Sequence, residues 1–541
     1  MTLNGISNFI RRHGEMVLPL SACLLAFFLR WYFLTTYNFP MMIHEQDAIG
    51  YMDTAKNILN LEPLNMAGRP PGYPLVIALL ALLPLNFEYA ARLASISMDT
   101  AVVLPLYFLA RGYLSRIQAF AVSLLWATFA LALYFSTSPL SQSSYLFYLL
   151  SGIVLLRQGQ ENNSRSRLFA SGVMFALSFL ARPEGLVGFA CALLLCLIPF
   201  LKRTGRNKKT ALASLAFLFG FLLLSGPFFV AFHSQLGYWG ITAKSEAALK
   251  GQDGTLVLNS KGELSKTAQG VSVWKEYYGT LPAFIDAVET NIQAYSDVYF
   301  RTFPLWVHLV SLAGFLALAW QWTKTLPYIL ILLAVLMPNF VVNVSKTHSY
   351  LYTAFPVMFI CIVAGLSAGC QAVCRVIKRR LPAVRPALYE ATNGAVVVSV
   401  VGYLSVGAYR LADITYQDEA EEAYRTELVY KKPAEYIKAH SLKSDVIMTR
   451  WGLVGYFAER PVVTLPKGGV REVIDYGRRN GVSYLLIDTE SVLSRRQELT
   501  ELLQPLGGRG IDPGYGLEVV NRSYYPDVGG YVVYRYLPHR R

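Results

Sequence analysis

Two short segments near the start of the chain carry residue types that could do chemistry together. The first reads His44-Glu45-Gln46-Asp47-Ala48-Ile49-Gly50-Tyr51, and the second Gly68-Arg69-Pro70-Pro71-Gly72-Tyr73-Pro74. A carboxylate at Asp47 can remove a proton from an incoming hydroxyl. A guanidinium at Arg69 can neutralise a phosphate through paired hydrogen bonds. Tyr51 and Tyr73 flank these charges, and Pro70-Pro71 makes a rigid turn just before an apolar stretch. A third segment, Arg182-Pro183-Glu184-Gly185, sets two opposite charges in a tight turn between apolar runs. Charges held at a membrane edge are costly unless they face a polar cavity. The plainer alternatives are a solvated loop acid at Asp47 and a structural salt bridge at the turn.

The elements that must position these residues are membrane helices. Of 541 residues, 54% are hydrophobic and 16% charged, against roughly a quarter charged in an average soluble domain. Runs such as Val17 to Tyr37 and Ala211 to Phe232 supply the ~20 apolar residues that a helical crossing needs. The first run is too long, and lacks the small-residue cleavage site, for a removed signal peptide. The net charge of +14 could point to nucleic acid. Its positive residues instead gather in short clusters in every second connection: Arg11 and Arg12, Arg111 and Arg116, Arg157 to Arg167, Lys202 to Lys209, Arg375 to Arg385. That is the positive-inside pattern, so the charge reports topology and no nucleic-acid partner is expected.

With those clusters inside, about eleven crossings result. They fall near 17–37, 92–110, 117–135, 142–156, 168–181, 185–201, 210–232, 303–322, 326–344, 350–370 and 387–409. The N-terminus is then cytoplasmic and the C-terminus external, with large external segments at 38–91, at 233–302 and after about residue 410. Tyr73 to Leu85 is too short to cross and reads as an interfacial helix. Lys250 to Gly270 is polar and Gly-rich, and periodicity returns from Leu281 to Tyr299. The expected fold class is a polytopic α-helical membrane protein over 1–409 with a small extracytoplasmic α/β domain over 410–541. In that domain β-type runs at Asp445–Thr449, Pro461–Leu465, Ser483–Asp488 and Tyr531–Tyr536 alternate with helical patterns such as Val470–Arg479. Gly468-Gly469 before that helix is a turn with a weaker claim to anion binding. The six cysteines lie in apolar runs or beside a cytoplasmic cluster and show no zinc spacing.

The pattern Asp47-x-x-x-Tyr51-x-x-x-Ala55, followed by Arg69-Pro70-Pro71-x-Tyr73-Pro74, resembles the first external loop of the GT-C membrane glycosyltransferases. Within them it is similar to the branch of the protein O-mannosyltransferases and the lipid A aminoarabinose transferases. In that family the loop acid sits by the acceptor and a basic residue before the proline contacts the carrier phosphate; Asp47 and Arg69 occupy those positions. The family often has an Asp-Glu pair, whereas Ala48 follows Asp47 here. Arg182 and Glu184 fit the family as further contacts, and Arg301, at the external start of the eighth span, is another phosphate candidate. The stretch Lys346-Thr347-His348-Ser349-Tyr350-Leu351 through Pro356 resembles the family's Arg-Tyr-Leu stretch with a downstream proline. Ser349 stands at the Arg position, leaving His348 or Lys346 to supply the polar contact.

The resemblance implies a sugar donor on a polyprenyl phosphate and a lipid, glycan or protein acceptor. It implies one inverting displacement, with Asp47 as general base and the donor bound by Arg69, Tyr51, Tyr73, Arg182, Glu184, Arg301 and His348. A phosphate leaving group needs little protonation, so one carboxylate suffices, unlike the two of soluble glycosidases. No acidic cluster forms an obvious oxygen site, and no metal or other cofactor is assigned. The expected location is a bacterial inner membrane. The main rival is a transporter or flippase for a lipid-linked glycan. The sequence lacks the matching halves that such carriers use and has few of their charged mid-span residues. A surface-polysaccharide polymerase or ligase is a second rival. A mere anchor for the tail is a third, and it needs far fewer helices.

Overall fold

The computed structural model describes residues 3–36, 46–65, 69–201, 208–237, 239–241, 280–319, 322–341, 348–380, 394–407, 410, 423–466 and 468–537. The chain divides into two compact units. One comprises 1–38, 51–245 and 277–415, and the other 39–50, 246–276 and 416–541. The basic run 202–207, Lys346 and most of the second large external loop, including Lys250 to Gly270, lie outside the described residues.

The first unit is helical. Its elements begin with α1 (Leu3–Thr36), α2 (Gln46–Leu59, which starts in the other unit), α3 (Pro74–Leu80), α4 (Phe87–Arg111) and α5 (Arg116–Thr128). They continue with α6 (Ala130–Thr137), α7 (Gln142–Glu161), α8 (Arg165–Ala181), α9 (Gly185–Leu201) and α10 (Lys208–Leu236). Later helices occupy Leu281–Thr302, Leu305–Ala319, Trp322–Ala334, Met337–Val341, His348–Leu351 and Ala354–Arg380, with a further apolar one at Gly394–Gly407. A helix thus lies on each apolar run picked from the sequence. Among the described residues, four helices can cross a membrane singly by length and composition, or six if each sharply bent pair is one span. One such pair is α5 with α6, bent by 54°. Helix α3 has seven residues, about 10 Å of rise, too short to cross.

Local sequence sets the helix ends. Asn86 accepts the Glu88 N–H and starts α4, while Ser115 and Gln118 form a reciprocal capping box at α5. Along α10, Leu215, Phe219, Leu222 and Val230 lie exposed on one side, as expected of a face that lipid covers. The opposite face packs closely: a Cβ on Gly172 of α8 would come within 2.0 Å of the Phe217 carbonyl, and one on Gly220 within 2.2 Å of Phe169. Membrane helices, lacking a hydrophobic drive toward one another, gain from such close approach.

The core of this unit also holds a charge pair. Arg30 of α1 and Asp99 of α4 are fully buried, and Arg30 Nε donates to Asp99 Oδ2 at 2.8 Å. Arg30 Nη1 also donates to the Ala26 and Ala127 carbonyls, and the Tyr352 hydroxyl donates to Asp99 Oδ1 at 2.6 Å. Both carboxylate oxygens and most of the guanidinium are therefore satisfied. Three helices and the Tyr352 segment are tied at one point.

The second unit contains a five-stranded sheet in the order β2-β1-β3-β5-β4. The strands are β1 (Val446–Thr449), β2 (Val462–Thr464), β3 (Val482–Asp488), β4 (Leu517–Tyr525) and β5 (Gly529–Tyr536). β1 runs parallel to β2 and β3, and β5 runs antiparallel to β3 and β4. The central strand β3 is buried almost throughout, which its continuous Tyr-Leu-Leu-Ile run permits. Met448, Ile474, Leu485, Ile487, Val532 and Tyr534 fill the core. At Gly468-Gly469 the first glycine has φ of +146°. The Gly469 N–H is taken by Glu472 Oε2 at 2.8 Å, so this turn serves its own helix rather than an anion.

Candidate active site

Helix α2 buries one face, carrying Ala48, Tyr51, Met52 and Ala55, a spacing that suits one side of a helix. Asp47 lies in its first turn and is exposed. That is where the helix dipole favours a carboxylate's charge. Asp47 is counted with the second unit, one helical turn ahead of Tyr51.

Arg69, Tyr51, Tyr73, Arg182 and Glu184 come together within the first unit. The Arg69 guanidinium carbon lies 5.0 Å from the centre of the Tyr51 ring, a cation–π distance. Tyr51 and Tyr73 meet edge to face at 5.2 Å. The Tyr51 hydroxyl shares a 2.8 Å hydrogen bond with Ser141 Oγ. Tyr73 is fully buried, its hydroxyl donating to the Ala91 carbonyl at 3.0 Å and lying 2.6 Å from Ser95 Oγ. Burial pushes the Tyr51 phenol up, against the opposing pull of the Arg182 charge. Tyr73 therefore locks the loop, while Tyr51 forms the floor beneath Arg69.

One backbone contact brings the two charged segments together. The Gly72 N–H donates to the Leu180 carbonyl at 2.8 Å. A Cβ at Gly72 would sit 2.5 Å from the Leu180 carbonyl carbon and 2.6 Å from the Ala181 nitrogen, so no side chain fits. Arg182 follows immediately and donates to Glu184 Oε1 at 2.9 Å. Gly185 closes the turn, since a Cβ there would meet the Phe179 backbone at 2.5 Å. The Arg182 guanidinium also lies 5.2 Å from the ring centre of Tyr350 and 5.9 Å from that of Tyr145. Burial opposes its charge, but Glu184, then Tyr350 and Tyr51, outweigh this and hold it firmly protonated.

Arg301 is exposed in the last turn of Leu281–Thr302, and no ion pair or hydrogen bond of its side chain occurs among the described residues. His348 opens the helix His348–Leu351; its side chain lies outside the described residues. Among the described residues no three His, Cys, Asp or Glu side chains converge as a metal site. All six cysteines are free. A cavity of about 1390 Å³ lies elsewhere, walled by aliphatic residues of α9 and Trp322–Ala334 together with Gln160 and Tyr328. Another of about 320 Å³ lies between Phe129, Phe303, Tyr403 and Arg410.

Ser141 and Tyr145 join the site without any motif to mark them, and Tyr350 joins it from the Arg-Tyr-Leu-like stretch, where only its neighbours are singled out. Their approach depends on how α7 and the helix His348–Leu351 pack, and no spacing in the chain encodes that. Gly72 was legible only as the blank position of the Pro-Pro pattern.

Over residues 68–225 the chain matches the dolichyl-phosphate-mannose-protein mannosyltransferase family. No curated protein matches it. Among solved structures, it resembles the archaeal oligosaccharyltransferase AglB from Archaeoglobus fulgidus, in complex with an inhibitory peptide and a dolichol-phosphate. Identity is 13%, with 89% of this chain and 70% of that one covered and a TM-score of 0.53. It also resembles ArnT from Cupriavidus metallidurans, bound to undecaprenyl phosphate. Here identity is 12%, with 96% and 98% covered and a TM-score of 0.53. What these matches share with this chain is the fold. It is the fold of the GT-C membrane glycosyltransferases, as the first-loop pattern leads one to expect, and this chain is an integral membrane protein of that architecture.

Proposed function

We propose that the chain is an inverting glycosyltransferase that moves a sugar from a polyprenyl-phosphate carrier to an acceptor hydroxyl outside the cytoplasm. The observation that carries it is the gathering of Arg69 and Arg182 around Tyr51 by the Gly72–Leu180 contact. Two guanidinium groups at one end of a membrane helix bundle suit a phosphate whose tail lies in lipid. The fold supports it further, since structures of similar fold hold dolichol-phosphate and undecaprenyl phosphate. About eleven spans, a cytoplasmic N-terminus, an extracytoplasmic tail domain and a bacterial inner membrane complete the proposal.

In this mechanism Asp47 takes the proton of the acceptor hydroxyl as its oxygen attacks the anomeric carbon. The bond from that carbon to the phosphate oxygen breaks, and its electron pair leaves with the carrier. The phosphate gains negative charge as it departs. Arg69 and Arg182 stabilise that charge, and in a partly dry site they do so more strongly in the transition state than before it. Inversion follows from the single displacement. No metal step is needed, because the guanidinium groups supply the countercharge.

The test is to assay the purified protein in lipid with a panel of polyprenyl-phosphate sugars, following release of the free carrier phosphate. Release coupled to acceptor glycosylation is expected. Movement of the intact sugar-linked carrier across the bilayer, with no release, would replace the transferase by a flippase.

A further inference from the structure

Three polar atoms, one of them on Glu184 itself and two within electrostatic reach of the Arg182–Glu184 pair, are enclosed and have no hydrogen-bond partner among the described residues. They are Oε2 of Glu184 and the phenol oxygens of Tyr145 and Tyr295. Tyr145 and Tyr295 are 4% and 1% exposed. Both lie in the electrostatic field of Arg182 and Glu184. They come from separate elements: Tyr145 from the first turn of α7, Glu184 from the turn after α8, and Tyr295 from Leu281–Thr302. The last helix is held in place by Asn291, which donates to the Phe340 carbonyl at 2.9 Å. Each unpartnered buried group costs on the order of 1–3 kcal/mol, and native proteins keep few of them. Three around one ion pair mark a place completed by something else.

The atoms themselves restrict what that is. A phosphate would face the second carboxylate oxygen of Glu184 and two phenols, so the group bound here is not the carrier's anion. A metal would find a single carboxylate already engaged through Oε1 with Arg182. A primary ammonium would sit against the Arg182 guanidinium, with a second guanidinium, Arg69, packed on the Tyr51 ring. The Arg182–Glu184 pair is neutral as a unit, so nothing in it compensates an added positive charge. Neutral hydroxyls fit all three atoms: they donate to a carboxylate oxygen and both donate to and accept from a phenol.

We propose that Glu184 Oε2, Tyr145 and Tyr295 form a subsite that reads the hydroxyls of the donor's sugar ring and selects a neutral polyhydroxylated sugar over a cationic amino sugar. This rests on the transferase reading, with the phosphate on Arg69 and the ring beside Arg182. The two charges of the turn then have separate roles. The guanidinium serves the leaving group, and the free carboxylate oxygen serves the sugar.

The experiment measures transfer from three polyprenyl-phosphate donors, carrying a neutral hexose, a deoxy-hexose and a 4-amino-4-deoxy-pentose. Wild type, Tyr145→Phe, Tyr295→Phe and Glu184→Gln are compared, with melting temperatures and binding of sugar-free carrier phosphate measured in parallel. The wild type is expected to use the hexose and to reject the amino sugar. Each Phe variant should raise the hexose KM about tenfold and leave carrier-phosphate binding and acceptor KM unchanged. Because each removes an unpartnered hydroxyl, its melting temperature should stay level or rise. At least one variant should lose its effect on the matching deoxy donor. Preference for the amino sugar, unchanged hexose KM in all variants, or a shift confined to acceptor KM overturns the subsite while leaving the transferase intact. A wild type that transfers from none of the donors overturns the transferase and the subsite with it.

Discussion

The amide of Gly72 rests on the carbonyl of Leu180 at 2.8 Å, with no room for a methyl group between them. This contact joins the Arg69 loop to the Arg182 turn. Gly72→Ala should therefore keep the protein in the membrane but displace the loop. Misplacing substrate-positioning groups by about 1 Å can cost on the order of 100-fold in rate, and kcat/KM is expected to fall by about that factor. Gly226→Ala in α10 is the control, since a Cβ there meets nothing within 4 Å. Equal activity in the two variants would show that the contact does not position the site.

Asp47→Asn keeps the size and polarity of the side chain and removes its basicity. Carrier release should drop by about 100-fold or more, the scale of general-base catalysis, with membrane insertion unchanged. Arg69→Ala should act mainly on donor KM, and Arg69→Lys should recover only part of the loss because an ammonium cannot make the paired fork. Near wild-type transfer by Asp47→Asn would remove Asp47 from catalysis.

Breaking the Arg30–Asp99 pair from one side leaves a buried charge without its partner, a loss of about 3–5 kcal/mol. Arg30→Met or Asp99→Leu alone should lower the melting temperature in detergent sharply. The double variant should be less destabilised than either single one, because apolar pairs often replace buried ion pairs at little cost. Additive losses in the double variant would mean that the two side chains act independently.

Asp488, at the end of β3, is almost fully buried, and burial raises its carboxyl above the ordinary range despite the Ser491 N–H it accepts. The folded state thus holds the proton at a pH where the unfolded chain has lost it. Stability from this group is greatest below the unfolded value of about 4. It declines as pH rises through the folded value and stays lost above it. Asp488→Asn keeps an acceptor for Ser491 and should flatten that dependence. Hydrogen-exchange protection of the β3 amides, followed against pH in both proteins, measures it.

Much of the fold was legible because its signals are local. Apolar runs and basic clusters located the helices, and alternation located β1, β2, β3 and β5 to within a residue or two. β4 was missed: its Leu517–Tyr525 stretch is mostly exposed or half-buried, so it carries little apolar pattern. The Arg182–Glu184 pair could be foreseen from its turn. Tyr145, Tyr295 and Ser141 could not, since an aromatic or a serine in an apolar run looks like any other packing residue. Arg30 and Asp99 were hidden differently. Each is a single charge inside a long apolar run, and only their meeting across 69 positions gives either a meaning.

That meeting also constrains how the chain is made. Arg30 lies inside the span Glu15–Thr36, and a lone arginine deep in lipid costs about 2.5–3.5 kcal/mol on an insertion scale. Until Asp99 has been synthesised, α1 must keep its guanidinium near the lipid headgroups or the protein-lined exit of the insertion machinery. At roughly 5–20 residues per second this waiting period lasts several seconds. Nascent chains stalled before Asp99 should remain cross-linkable to that machinery, and chains extended past α4 should let go. Under that expectation the ion pair would set when the first helix can settle among its lipids.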